Sequence, residues 1–258
     1  MMIQNNAGEP GEKAPPKKEK KKVRRFLPLL LLVLLAAGIA FYTGDYYRAD
    51  AAAERALLSD SRVQISKTDY GWFFDGPSDE EALIFYPGAK VEETAYAPLL
   101  HRLAEEGLDV CLVKMPLHLA FLDMNRAEKL MGSYDYPTWY IGGHSLGGAC
   151  AAIYASGHGE ALSGVLLLGA YPTKQLDESL NILFVYGSED GVLNREKYAE
   201  NRHFAAENAV EVVIEGGNHA QFGSYGEQAG DGQAAIPAAV QVEETVEAVF
   251  ACLAVAEG

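Results

Sequence analysis

The chain has 258 residues, 49% of them apolar, with 21 Lys and Arg against 36 Asp and Glu and a formal net charge of −15. That apolar content supplies a sizeable core and excludes an intrinsically disordered protein, and an acidic surface excludes nucleic acid as a partner, because a phosphate backbone repels it. The charge is unevenly spread: residues 1–25 carry eight basic groups and three Glu, for +5, and the remainder sums to −20.

In chain order, residues 1–25, with Pro10, Pro15, Pro16 and a Lys run, read as a basic, disordered cytoplasmic leader. Residues 26–43 contain no charge. As a helix they would span about 27 Å, close to the ~30 Å of a bilayer's hydrocarbon, so a transmembrane anchor is expected there, with Pro28 in its first turn. The basic cluster before it places the N-terminus in the cytoplasm and everything after Thr43 outside. The alternative is a cleaved signal peptide, with Gly38 and Ala40 before the cut and a secreted domain beyond. Residues 44–61 then read as a short helical stalk, and residues 62–258 as one domain.

Within that domain apolar runs alternate with helical patterns. Strands are expected at 63–68 and 71–75 (a hairpin), 82–86, 109–114, 138–142, 164–169, 182–187 and 210–215. Several, such as 165–168 and 182–186, are continuously apolar, as suits parallel strands covered on both faces. Helices fit at 94–106, 119–131, 145–156, 195–207 and 238–254. The expected fold is therefore α/β, a mostly parallel sheet flanked by helices. Cys111, Cys150 and Cys252 are odd in number and lie in apolar stretches, which points to buried free thiols, and no spacing suggests a metal site.

The chemistry concentrates in Gly143-His144-Ser145-Leu146-Gly147, a G-x-S-x-G sequence between a buried strand and a small-residue helix. Alone this pattern is a weak signal, but its place at a strand-to-helix turn is that of a nucleophile elbow, where side chains in place of the glycines would strike backbone. A serine nucleophile needs a base oriented by an acid, in the order Ser, acid, His. The strand at 182–187 runs into Glu189 and Asp190, of which the shorter Asp190 is preferred, and the strand at 210–215 runs into His219. Among the other histidines, His118 follows a strand and could line the cleft, while His144 lies inside the elbow and reads as structural. The oxyanion needs two N–H donors. These are expected from Leu146, after the nucleophile, and from Ala89 in the loop after strand 82–86, where Gly88 permits close approach. Tyr86 and Lys90 could contact substrate, although Lys90 also reads as a solvated loop charge.

These residues, together with Tyr86-Pro-Gly-Ala-Lys-Val91, Gly187-Ser-Glu-Asp190 and Gly216-Gly-Asn-His-Ala-Gln-Phe-Gly223, resemble the α/β-hydrolase superfamily, and its small dienelactone-hydrolase-like branch in particular. The resemblance runs from about Val63 to Leu253 and implies hydrolysis of a small carboxylic ester or related acyl bond, without cofactor. Acyl transfer, peptidase activity and non-catalytic surface binding are alternatives on the same fold. The chain departs from many members in having only about a dozen residues between Gly169 and Asn181, which leaves no room for a helical lid. It departs from the dienelactone hydrolases in offering serine where they use cysteine. A glycine-rich loop at 221–232 either shapes the pocket rim or connects to the last helix.

Overall fold

The computed structural model describes residues 20–256, which form two compact units, one ending at Gly44 and one beginning at Asp45. The expected leader lies outside the described residues as far as residue 19. From Lys20 the chain is already helical: α1 runs Lys20–Gly44, so Pro28 sits inside the helix and not in its first turn. Phe26, Leu32 and Leu35 are 64–66% exposed. Among the described residues, no helix is long and apolar enough to cross a membrane.

The second unit is an eight-stranded sheet with its flanking helices. Its elements begin with α2 (Ala51–Ala56), β1 (Gln64–Thr68), β2 (Gly71–Asp75), β3 (Glu81–Tyr86), α3 (Ala97–Glu105), β4 (Asp109–Val113) and α4 (Arg126–Met131). They continue with β5 (Thr138–His144), α5 (Leu146–Ala155), β6 (Gly164–Leu168), β7 (Asn181–Gly187), α6 (Arg195–Asn201), β8 (Val210–Ile214) and α7 (Ala238–Ala256). Strand order is β1-β2-β4-β3-β5-β6-β7-β8. The β1–β2 hairpin is antiparallel and β2 meets β4 antiparallel, whereas β3 through β8 pair in parallel.

The continuous apolar strands are buried on both faces, as parallel pairing demands. On one face, Leu99, Leu100 and Leu103 of α3 and Val246 and Val249 of α7 cover Leu83, Phe85, Val110 and Val185. On the other, Ala151, Ala152 and Ala155 of α5, Leu130 of α4 and Tyr198 of α6 cover Ile84, Ile141, Val165 and Phe184. β8 is the exception, because it closes the sheet with no strand beyond it, and Val210 and Val213 stay exposed. The three cysteines are free and buried. Burial pushes the Cys150 thiol up to about 11 and Cys111 up to about 12, so neither ionises readily.

Two expectations are corrected. The stretch expected as a stalk is packed onto the domain: Tyr47 bridges to Val91, Ala53 of α2 is fully buried, and Asp50 caps α2 by accepting from the N–H groups of Ala52 and Ala53. Tyr47, Ala49, Ala56 and Leu57 pack partly against the core, while Leu58 stays 68% exposed. The helix expected over 119–131 exists only as α4, preceded by 3₁₀ turns at Pro116–His118 and Ala120–Leu122. Within the expected range Leu119 (φ −131°, ψ +106°) and Asp123 (φ −154°, ψ +53°) leave the helical region, so a continuous α-helix forms only from Arg126.

Candidate active site

The parallel register brings the carboxyl ends of β3, β5, β7 and β8 to one edge of the sheet, and the candidate residues follow those ends. Ser145 stands between β5 and α5 with φ +53° and ψ −123°, a conformation that costs a non-glycine residue on the order of 1–2 kcal/mol. The turn persists because its surroundings leave no alternative. A Cβ on Gly143 would sit 2.4 Å from the Tyr86 carbonyl oxygen, and one on Gly147 would sit 2.2 Å from the same atom. The Ser145 N–H is meanwhile fixed on the Leu168 carbonyl at 2.9 Å. The steric reason expected for the glycines is thus visible atom by atom.

Asp190 follows β7 and His219 follows β8, and their side chains are wholly removed from solvent. His219 Nδ1 donates to Asp190 Oδ2 at 2.8 Å. The other carboxylate oxygen accepts from the N–H groups of Val192 at 2.9 Å and Leu193 at 2.7 Å. Because a carboxylate can only accept, Nδ1 carries the proton and Nε2 presents a lone pair. Nε2 is buried with no hydrogen-bond partner of its own. Glu189, the rejected acid, is exposed and holds only the Ser188 hydroxyl at 3.2 Å.

Beside this pair lies His144, 1% exposed, its ring centroid 4.3 Å from that of His219. Burial, and then the neighbouring His219, hold its pKa well below the ordinary 6.5, so it is neutral near pH 7. It is structural, as expected: its Nδ1 is 2.8 Å from the Tyr96 hydroxyl, which itself accepts the Gly88 N–H at 3.0 Å. The Gly88 N–H is thus already committed to Tyr96. Gly88 does press against the elbow, since a Cβ there would meet His144 Nδ1 at 3.0 Å. The next N–H, that of Ala89, has no backbone acceptor, and the Leu146 N–H opens α5 and has none within the helix.

The expected substrate contacts fare differently. Tyr86 is fully buried; its hydroxyl donates to the Met124 carbonyl at 2.5 Å and accepts the Ala127 N–H at 3.1 Å, which makes it a brace for α4 and not a cleft residue. Lys90 directs its ammonium to Asp45 at 2.6 Å. The His118 ring stacks on Tyr46 with centroids 4.3 Å apart.

Sequence reasoning missed Asp231, in the glycine-rich loop. Its Oδ1 accepts from the N–H groups of Gly191 at 3.0 Å and His219 at 3.3 Å, and its Oδ2 accepts from Ala220 at 2.8 Å. One carboxylate therefore ties the acid loop to the base loop. Behind it, Gln241 of α7 exchanges two bonds with the Asn218 backbone, at 3.0 and 2.8 Å, fixing the residue before the histidine. The loop also borders a polar cavity of about 650 Å³, with Asp50, Gln221, Glu227 and Gln233 among its walls; Ser145 does not line it.

A family model for the alpha/beta hydrolase family matches residues 82–243, and the chain belongs to that family. Solved structures similar to it include a dienelactone hydrolase from Anabaena variabilis, 12% identical, covering 74% of this chain and 98% of that one, with a TM-score of 0.53. Est1E from Butyrivibrio proteoclasticus is 14% identical over 75% of this chain and all of its own, with a TM-score of 0.53. A bacterial membrane phospholipase A is 14% identical over 91% of this chain and 99% of its own, with a TM-score of 0.55. At such identities the likeness speaks to the fold. No curated protein matches the sequence.

Proposed function

We propose that the chain is a serine hydrolase of carboxylic esters or related acyl bonds, with small-molecule esters as substrates. The observation that carries this reading is the buried Asp190–His219 pair, with Nε2 left as a bare acceptor at the sheet edge where the strained Ser145 turn stands. In the proposed reaction the Ser145 hydroxyl attacks the acyl carbon while His219 Nε2 takes its proton. His219 then returns that proton to the leaving group, and Asp190 keeps the ring in the required tautomer and steadies the imidazolium. The N–H groups of Leu146 and Ala89 receive the oxyanion, so the tetrahedral intermediate is stabilised by fixed dipoles that need not reorganise. Water then attacks the acyl-serine and regenerates the enzyme. Two similar structures, a bacterial heroin esterase and an esterase from Mycobacterium tuberculosis, favour the ester reading.

The test is labelling with a fluorophosphonate probe. Wild type takes the label and Ser145→Ala does not; equal labelling of the two, or none of the wild type beside a labelled control hydrolase, refutes the proposal.

The same proposal places the domain outside the cytoplasmic membrane, held by the N-terminal apolar helix. The support is the basic cluster before residue 26 and the exposed apolar side chains from Phe26 to Ile39. Protease added to intact cells should remove the domain, and activity recovered wholly in a soluble cell extract would refute the placement.

A further inference from the structure

The loop after β3 that presents Ala89 does not hold itself in place. Lys90 sits in it at φ +57°, a left-handed conformation for a residue with a side chain, so the loop needs partners to keep its shape. The Tyr96 hydroxyl holds the Gly88 N–H and the His118 carbonyl holds the Lys90 N–H, and the remaining partners come from residues 45–50. The Tyr47 N–H donates to the Lys90 carbonyl at 2.7 Å, and the Glu92 N–H donates to the Tyr47 carbonyl at 2.8 Å, a parallel bridge of one strand residue on each side. Glu92 Oε2 accepts the Ala49 N–H at 3.0 Å, and Asp45 takes the Lys90 ammonium at 2.6 Å. Tyr46 stacks on His118, whose carbonyl accepts the Lys90 N–H at 2.9 Å.

The same segment also reaches the other side of the site. The Tyr47 hydroxyl accepts the Ala229 N–H at 3.1 Å, the Tyr47 ring lies 5.4 Å from that of Tyr225, and the Asp50 N–H donates to the Ser224 carbonyl at 2.8 Å. Ser224, Tyr225 and Ala229 belong to the loop that follows His219. Residues 45–50 therefore bond to the loop bearing the second oxyanion donor and to the loop leaving the base, and they lie wholly outside the 82–243 stretch that matches the family.

We infer that residues 45–50 are a strap that positions the Ala89 N–H for oxyanion binding, with Tyr47 and Glu92 as positioning residues. The inference rests on the serine-hydrolase reading above. It makes the chain N-terminal to β1 part of the enzyme's working geometry: whatever pulls on or displaces residue 45 acts on the oxyanion loop directly.

Glu92 provides the test, because its φ of −60° is already that of proline. Glu92→Pro removes both strap bonds, the N–H to Tyr47 and the carboxylate to Ala49, without forcing φ. Glu92→Gln keeps both. On p-nitrophenyl acetate, the full-length Glu92→Pro variant should lose about tenfold or more in kcat with little change in KM, because a donor misplaced by a fraction of an ångström fails mainly in the transition state. Glu92→Gln should retain wild-type kcat. A folded Glu92→Pro variant with wild-type kcat overturns the inference, as does an equal loss in Glu92→Gln. Should Glu92→Pro not fold, the Asp45→Ala, Tyr46→Ala double variant decides, with reduced kcat at unchanged thermal midpoint supporting the strap and unchanged kcat overturning it. A wild type that takes no fluorophosphonate label refutes the parent reading and this inference with it, whereas a labelled wild type matched by Glu92→Pro refutes the strap alone.

Discussion

The imidazoles of His144 and His219 lie with centroids 4.3 Å apart and planes tilted by 48°, one ring neutral and structural, the other bonded to Asp190. Keeping His144 uncharged spares a protonated His219 a like charge at van der Waals distance. It also has a cost in acid. A histidine whose folded pKa is depressed gives up stability as pH falls below the unfolded value, here 6.5, because the unfolded chain binds a proton the folded one refuses. The wild type should therefore lose about 1.4 kcal/mol per pH unit below that point from this residue, until the depressed folded pKa is reached. His144→Gln should flatten this slope in urea titrations compared between pH 7.5 and pH 5, and an unchanged slope would contradict the assignment.

Asp231 gathers N–H groups from both the acid loop and the base loop. Asp231→Ala leaves those donors without their acceptor and frees the two loops from one another. Activity toward a p-nitrophenyl ester should fall about 10-fold or more, chiefly in kcat, and Asp231→Asn, which keeps one acceptor oxygen, should fall between it and wild type. Steady-state kinetics on the three proteins decide the matter.

Gly169 closes β6 at φ +52°, and a Cβ there would stand 2.8 Å from His219 Nδ1 and 3.1 Å from Asp190 Oδ2. Gly169→Ala therefore wedges a methyl group into the pair. Loss of about 100-fold in kcat is expected, read by steady-state kinetics on a p-nitrophenyl ester. A variant with wild-type kcat would show that the pair relaxes freely.

Tyr86→Phe isolates a purely structural role. The substitution leaves the Met124 carbonyl and the Ala127 N–H without their buried partner, at about 1–3 kcal/mol. The urea midpoint should fall while KM stays at its wild-type value. A raised KM with unchanged stability would return Tyr86 to the cleft.

Much of the fold could be read from local pattern. Continuous runs such as 182–186 announce two-sided burial, and Gly143 and Gly147 announce a turn with no room for side chains. Asp190 and His219 are found by chain order, because the ends of successive parallel strands meet at one edge. What escaped reading lies in long-range polar contact. Asp231 has no local mark: it sits among glycines and acts on backbone groups 11 to 40 residues away in sequence. Tyr86 looked like a cleft residue because it ends a strand beside the elbow, yet its hydroxyl bonds to the backbone of Met124 and Ala127, some forty residues on. The alanines of α2 looked like an unpartnered stalk, since small side chains give no amphipathic stripe to betray the face that packs.

The connection from β6 to β7, residues 169–180, carries neither helix nor strand. In a hydrolase this has a kinetic meaning. Nothing of that length hinges across the site, so no gate must reopen before the product departs, and turnover should be insensitive to solvent viscosity.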